Sequence, residues 1–149
     1  MGNNKILGIK SKTPNSPIGF KFDLIKNVNK SYVYNVRFSV PEFTSICPVT
    51  SQPDFGMLVI DYVPKNWLVE SKSLKTYIHS FRNYGIFHEE AVMKVGLDIY
   101  KNTKPIWFRI LGYFAPRGGI PIDVFWKSGK KPANVEVPDP ASSEKKLFL

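Results

Sequence analysis

Cysteine occurs once in the 149 residues, at Cys47, and histidine only twice, at His79 and His88. A lone cysteine excludes an intramolecular disulfide framework, and so few soft ligands leave no zinc cage, so no metal is expected. The simplest setting is reducing and cytoplasmic. No apolar run approaches the ~20 residues of a membrane-spanning helix, and residues 1–5 lead into no apolar segment of the secretory type. Neither a G-x-G-x-x-G nor a Walker sequence occurs, so a dinucleotide would need a surface of another kind. Acidic residues are also scarce, 12 Asp+Glu against 21 Lys+Arg, for a net charge of +9.

That charge is unevenly placed. Residues 1–30 hold six Lys against Asp23 alone, whereas residues 31–126 hold ten basic and eight acidic side chains. No zinc-finger spacing, RNA-binding aromatic signature or basic helix accompanies the excess, so direct nucleic-acid binding is not expected. A hydrophobic share of 43% is too high for a disordered chain and suffices for one core. Residues 1–30 read as a loosely structured basic arm, 31–126 as the folded domain, and 127–149, with Pro132, Pro138 and Pro140, as an extended tail.

Within the middle region, Tyr34, Val36, Phe38 and Val40 alternate with polar residues, the period of a strand with one buried face. A second run, from Phe55 to Val63, is apolar on both phases and stops at Pro64, which predicts burial on both faces. Between them lies a proline-rich connection that carries Cys47. From Glu70 to Tyr84 the period becomes helical: Leu74, Tyr77, Ile78 and Phe81 share one face, and Lys72, Lys75, His79 and Arg82 the other. A second helix, about Phe87 to Lys101, presents Val92, Val95 and Ile99, with Glu89 and Glu90 in its first turn. Two more strands, Ile106 to Ala115 and Ile120 to Trp126, flank Pro116-Arg117-Gly118-Gly119. The order β-β-α-α-β-β predicts an α+β domain with a four-stranded antiparallel sheet and two helices on one face. Its open edges and apolar second face (Trp107, Leu111, Tyr113) point to a homo-oligomer, as in a ring of subunits.

Several residues are candidates for chemistry. Cys47 is either a buried small hydrophobe or a nucleophile, and its position in a loop favours the latter. Asp54 caps the turn after Pro53 or serves as general acid. His88 and Glu89 either serve the helix dipole or meet a ligand at the helix end, where Glu89 could accept two N–H bonds from a guanidine-like heterocycle edge. The stripe of Lys72, Lys75, His79 and Arg82 is a solvated face or a phosphate-binding surface.

Taken together, Pro41-Glu42-Phe43-Thr44-Ser45-Ile46-Cys47-Pro48, Gln52-Pro53-Asp54-Phe55, Val69-Glu70-Ser71-Lys72-Ser73-Leu74-Lys75-Thr76-Tyr77, Phe81-Arg82-Asn83, Phe87-His88-Glu89-Glu90 and Pro116-Arg117-Gly118-Gly119-Ile120 closely resemble the single-domain form of NADPH-dependent 7-cyano-7-deazaguanine reductase. This is the nitrile reductase of queuosine biosynthesis, in the tunnelling-fold superfamily with GTP cyclohydrolase I. The resemblance implies rings of subunits with active sites between neighbours. It also implies that Cys47 attacks the nitrile carbon to give a thioimide and that Asp54 protonates the nitrogen. Val69, Glu70, Ser71, His88 and Glu89 match the family's substrate-binding positions. Lys72 and Lys75 become candidates for the NADPH phosphates, and Arg117 a weaker one. Two positions depart from the pattern: Thr76 stands where Leu or Tyr is usual, and Ser51 where close relatives often have Gly. Two alternatives keep part of this reading: a Cys-dependent nitrile hydrolase on a similar heterocycle, and a non-catalytic basic module that touches tRNA.

Overall fold

The computed structural model describes residues 13–140. Its elements run β1 (Leu24–Lys26), β2 (Val36–Ile46), β3 (Pro53–Val63), β4 (Trp67–Val69), α1 (Ser71–His79), α2 (His88–Thr103), β5 (Trp107–Arg117) and β6 (Ile120–Lys127). Strands β2, β3, β5 and β6 form one antiparallel sheet in that order, as the α+β pattern predicts. The helical stripes face that sheet. Leu74, Tyr77, Ile78 and Phe81 from the α1 segment and Ala91, Val92, Val95 and Ile99 from α2 bury with Phe43, Leu58, Ile60, Phe108, Ile110 and Phe114. Alternate residues of β3 turn the other way, where Met57 and Val59 pack with Tyr113 and Leu111. The central strand is thus buried on both faces, which its continuous apolar run requires.

The connection between the first two long strands is shorter than the prolines indicate. β2 does not stop at Val40 but continues to Ile46, through a register shift between Val40 and Phe43. Pro41 falls inside that irregularity, where its missing N–H breaks no regular ladder bond. Only residues 47–52 remain as loop.

The flanking segments are more ordered than their composition indicates. β1 pairs antiparallel with β4 in a separate two-stranded sheet. Phe20 and Phe22 set their rings 5.2 and 4.7 Å from that of Tyr77. At the other end, Val135 is buried with Val63 and Trp107, and the Pro138 carbonyl accepts hydrogen bonds from Arg37 and Arg109. A few apolar anchors suffice to dock chain that lacks periodicity. The rest of the expected arm and tail, residues 1–12 and 141–149, lies outside the described residues.

Candidate active site

The end of β2 places Cys47. Its loop is closed by two backbone hydrogen bonds, Cys47 N–H to Gln52 O at 2.9 Å and Ser51 N–H to Cys47 O at 3.0 Å. Closing so short a loop puts Ser51 in the left-handed region, at φ 56°. Glycine would meet that requirement without a Cβ penalty. The thiol is pulled down from 9.0 to about 6, chiefly by the Thr50 hydroxyl, then by the Thr50 and Val49 backbone and the Arg117 guanidinium, while burial opposes weakly. Hydrogen bonding to the charged form is what favours a thiolate here.

Asp54, the second residue of β3, stands opposite Ser45 in the ladder and is buried. The start of α2 reaches it because the chain before that helix is stitched to β2. Ile46 N–H donates to Tyr84 O at 3.0 Å, and Ile86 N–H to Ile46 O at 2.9 Å. His88, the first residue of α2, then lies with Nε2 3.1 Å from Asp54 Oδ2. Its ring stacks on Phe114 of β5 at 4.0 Å and 11°. From the end of β5, Arg117 Nε comes within 3.1 Å of Asp54 Oδ1, and its Nη2 donates to Thr50 Oγ1 at 3.4 Å. Both Asp54 contacts are close approaches rather than aligned hydrogen bonds, because Asp54 Oδ1 and His88 Nε2 remain buried without a hydrogen-bond partner. Buried polar atoms are rarely left so.

The structure therefore gathers Cys47, Asp54, His88 and Arg117 in one cluster. Glu89 follows His88 at the same helix end and is exposed. No side-chain hydrogen bond caps that end, so its N–H groups are open to an acceptor.

Val69, Glu70 and Ser71 occupy a different place, the β4–α1 junction. The Glu70 carboxylate serves as N-cap of α1, accepting from Lys72 N at 3.0 Å and Ser73 N at 2.7 Å, and from the Ser71 hydroxyl at 3.3 Å. Among the described residues no recorded hydrogen bond or ion pair joins these three to the Cys47 cluster. Ser71 lines instead an open cleft of about 250 Å³ between α1 and β2, with Lys75, His79, Arg82 and Glu42 above an apolar floor of Phe38, Val40, Leu74 and Ile78. Burial and the neighbouring charges of Arg82 and Lys75 lower the His79 pKa. Lys72 does not line this cleft. Thr76 turns its hydroxyl back to Lys72 O at 2.9 Å, so the departure at that position is absorbed within the helix.

Arg117, expected near cofactor phosphates, is thus found against the candidate acid and the nucleophile's loop. Thr50 and Phe114 join the cluster without any signal in the sequence. Nothing in an exposed threonine or an apolar strand residue signals such a role, whereas Arg117 before two glycines at φ 58° and 80° marks a hairpin tip that carries one charged side chain. Among the described residues no group of three His, Cys, Asp or Glu side chains could hold a metal ion, and no helix is long and apolar enough to cross a membrane.

The sequence model of the family described as QueF-like protein matches residues 53–133. The NADPH-dependent 7-cyano-7-deazaguanine reductase of Bradyrhizobium sp. (strain BTAi1) is 56% identical over 133 residues, which cover 89% of this chain and 84% of the relative. The reductase of the same name from Parvibaculum lavamentivorans is 55% identical over 135 residues, 91% of this chain and 88% of its own length. Among solved structures, the archaeosine synthase QueF-Like in its apo form superposes with a TM-score of 0.60 at 21% identity, covering 66% of this chain and 96% of that one, a likeness of fold. With more than half of the aligned residues identical to those reductases over most of both chains, the protein belongs to the NADPH-dependent 7-cyano-7-deazaguanine reductase family.

Proposed function

We propose that the chain reduces the nitrile of 7-cyano-7-deazaguanine to the aminomethyl group of 7-aminomethyl-7-deazaguanine, a cytoplasmic step in queuosine tRNA modification. The observation that carries this reading is the convergence of a thiol drawn down to about 6 with the buried Asp54 carboxyl and the His88 imidazole, 3.1 Å apart. At neutral pH the Cys47 thiolate adds to the nitrile carbon, forming a C–S bond, while the nitrogen takes a proton from Asp54. His88, 3.1 Å from Asp54, is placed to replace that proton. NADPH, when bound, supplies the hydrides, two per nitrile, each matched by one proton. Cys47 leaves when the C–S bond breaks, which a stabilised thiolate eases.

Lys75, His79 and Arg82 give the α1 cleft the cationic lining that dinucleotide phosphates need, with Ser71 as a further donor. The residues present fit the phosphate groups of NADPH, which they would hold. Because Val69, Glu70 and Ser71 lie apart from Cys47 within one chain, the complete site forms between subunits of a homo-oligomer, where the Ser71 end of one chain meets the Cys47 cluster of another. Glu89 then holds the N–H edge of the deazaguanine. A second copy also answers the exposed side chains of edge strand β6, Ile120 at 68% and Phe125 at 59%.

The test is to incubate the protein with 7-cyano-7-deazaguanine alone and follow intact mass. A covalent adduct on Cys47 that disappears when NADPH is added supports the reductase. An adduct that resolves in water without NADPH indicates the hydrolase. RNA binding that falls steeply with salt and survives Cys47→Ala, with no adduct, indicates the binding module.

A further inference from the structure

We infer that Arg117 is a positioning residue for the nucleophile: its guanidinium bridges the Cys47 loop and the Asp54 carboxylate, and so keeps the sulfur a thiolate, in register with the acid, before any ligand arrives. The inference rests on the proposed role of Cys47. It assigns Arg117 to the chemical step rather than to cofactor phosphates alone.

The geometry carries it. Arg117 ends β5 where the ladder with β6 shifts register between Phe114 and Arg117. That shift and the two glycines after it aim the side chain back toward the end of β2. The two arms of the guanidinium divide their targets, Nε toward Asp54 Oδ1 at 3.1 Å and Nη2 toward Thr50 Oγ1 at 3.4 Å. Thr50 is also the group that lowers the Cys47 pKa most, so the arginine contacts the hydroxyl that favours the thiolate, and its own guanidinium acts in the same direction. A planar fork can serve both directions at once, which a lysine ammonium cannot. The charged and titratable groups recorded around this point are Asp54 from β3, His88 from α2 behind it, and the Cys47 thiol itself. Cys47 and Asp54 are also what act on Arg117, raising its pKa by the Cys47 hydrogen bond first and Asp54 afterwards.

Arg117 is exposed at a hairpin tip, so its replacement does not open the core. The experiment titrates the thiolate by its ultraviolet absorption in wild type, Arg117→Gln and Arg117→Lys, each corrected with its own Cys47→Ala counterpart. Arg117→Gln is expected to raise the midpoint by about one pH unit, with Arg117→Lys recovering part of the shift. Adduct formation with 7-cyano-7-deazaguanine, measured without NADPH, should then slow about fivefold at pH 6 and recover at pH 9, where the thiol is ionised in every variant. An unchanged midpoint and unchanged adduct rate in Arg117→Gln would overturn the inference and return Arg117 to the cofactor. If wild type itself forms no adduct, the reductase reading fails, while the thiolate titration still decides whether Arg117 holds the sulfur.

Discussion

Ile46 and Gly85 form an isolated parallel bridge that joins the last residue of β2 to the turn before α2. Through it the nucleophile's loop and the helix start that carries His88 become one rigid unit. Strand β3 then needs only to begin at Pro53 for Asp54 to fall between them. The cluster therefore stands on strand and helix ends rather than on a free loop, so its distances are fixed by the sheet register.

The first expectation concerns pH. With the Cys47 thiol lowered to about 6, the rate of adduct formation in wild type should rise with pH through about that value and level off near neutrality. A free thiol would still be gaining at pH 8. Cys47→Ala should abolish adduct and turnover at every pH. Stopped mixing with the nitrile across pH 5 to 9 reads the profile, and continued acceleration above pH 8 would remove the loop's role in activating the sulfur.

Glu70 separates a structural role from a substrate role. Since both of its oxygens accept from the first turn of α1, Glu70→Ala should cost about 1–2 kcal/mol of stability. A Tm unchanged by that substitution, alongside lost nitrile binding, would show that the carboxylate serves the substrate and not the cap.

How much of this was legible in the sequence depends on the kind of signal each residue gives. Leu74, Tyr77, Ile78 and Phe81, and Val92, Val95 and Ile99, are all buried where the helical period puts them. Periodic apolar positions report burial directly, and the strand order followed from them. The extension of β2 past Pro41 was hidden because a proline normally ends a strand, and only the bulge makes it tolerable. Docking of Phe22 and Val135 was hidden because single anchors have no period. In the site, Cys47, Asp54 and His88 were legible from residue type and motif. The contacts of Arg117 with Asp54 and Thr50 are long-range, 63 and 67 positions apart along the chain, and arise from register alone.

Gly56 ties packing to chemistry. A Cβ there would lie 2.8 Å from Phe114 Cδ1 and 2.9 Å from the Tyr113 carbonyl oxygen, and the backbone atom cannot give way cheaply. Gly56→Ala should destabilise by about 1–3 kcal/mol and, by displacing Phe114, tilt the His88 ring stacked on it. Thermal unfolding reads the first effect and turnover the second. A fully active, equally stable variant would mean that the stack is not what holds the imidazole.

Asp61 offers a control away from the site. It is fully buried on the sheet face opposite the helices and accepts from Asn35 at 2.8 Å, Arg37 Nε at 2.8 Å and Arg109 Nε at 3.0 Å. The same two guanidinium groups hold the Pro138 carbonyl, so the carboxylate also secures the docked tail. Asp61→Asn leaves two half-buried arginines short of an anion and should cost about 3 kcal/mol. The loss should appear as a lower Tm together with faster proteolysis after residue 127, because Val135 loses the frame it packs on. The Cys47 thiolate midpoint should not move, since no recorded contact links Asp61 to that cluster. A midpoint that shifted with Asp61→Asn would mean that the sheet transmits strain from its buried ion network to the nucleophile's loop.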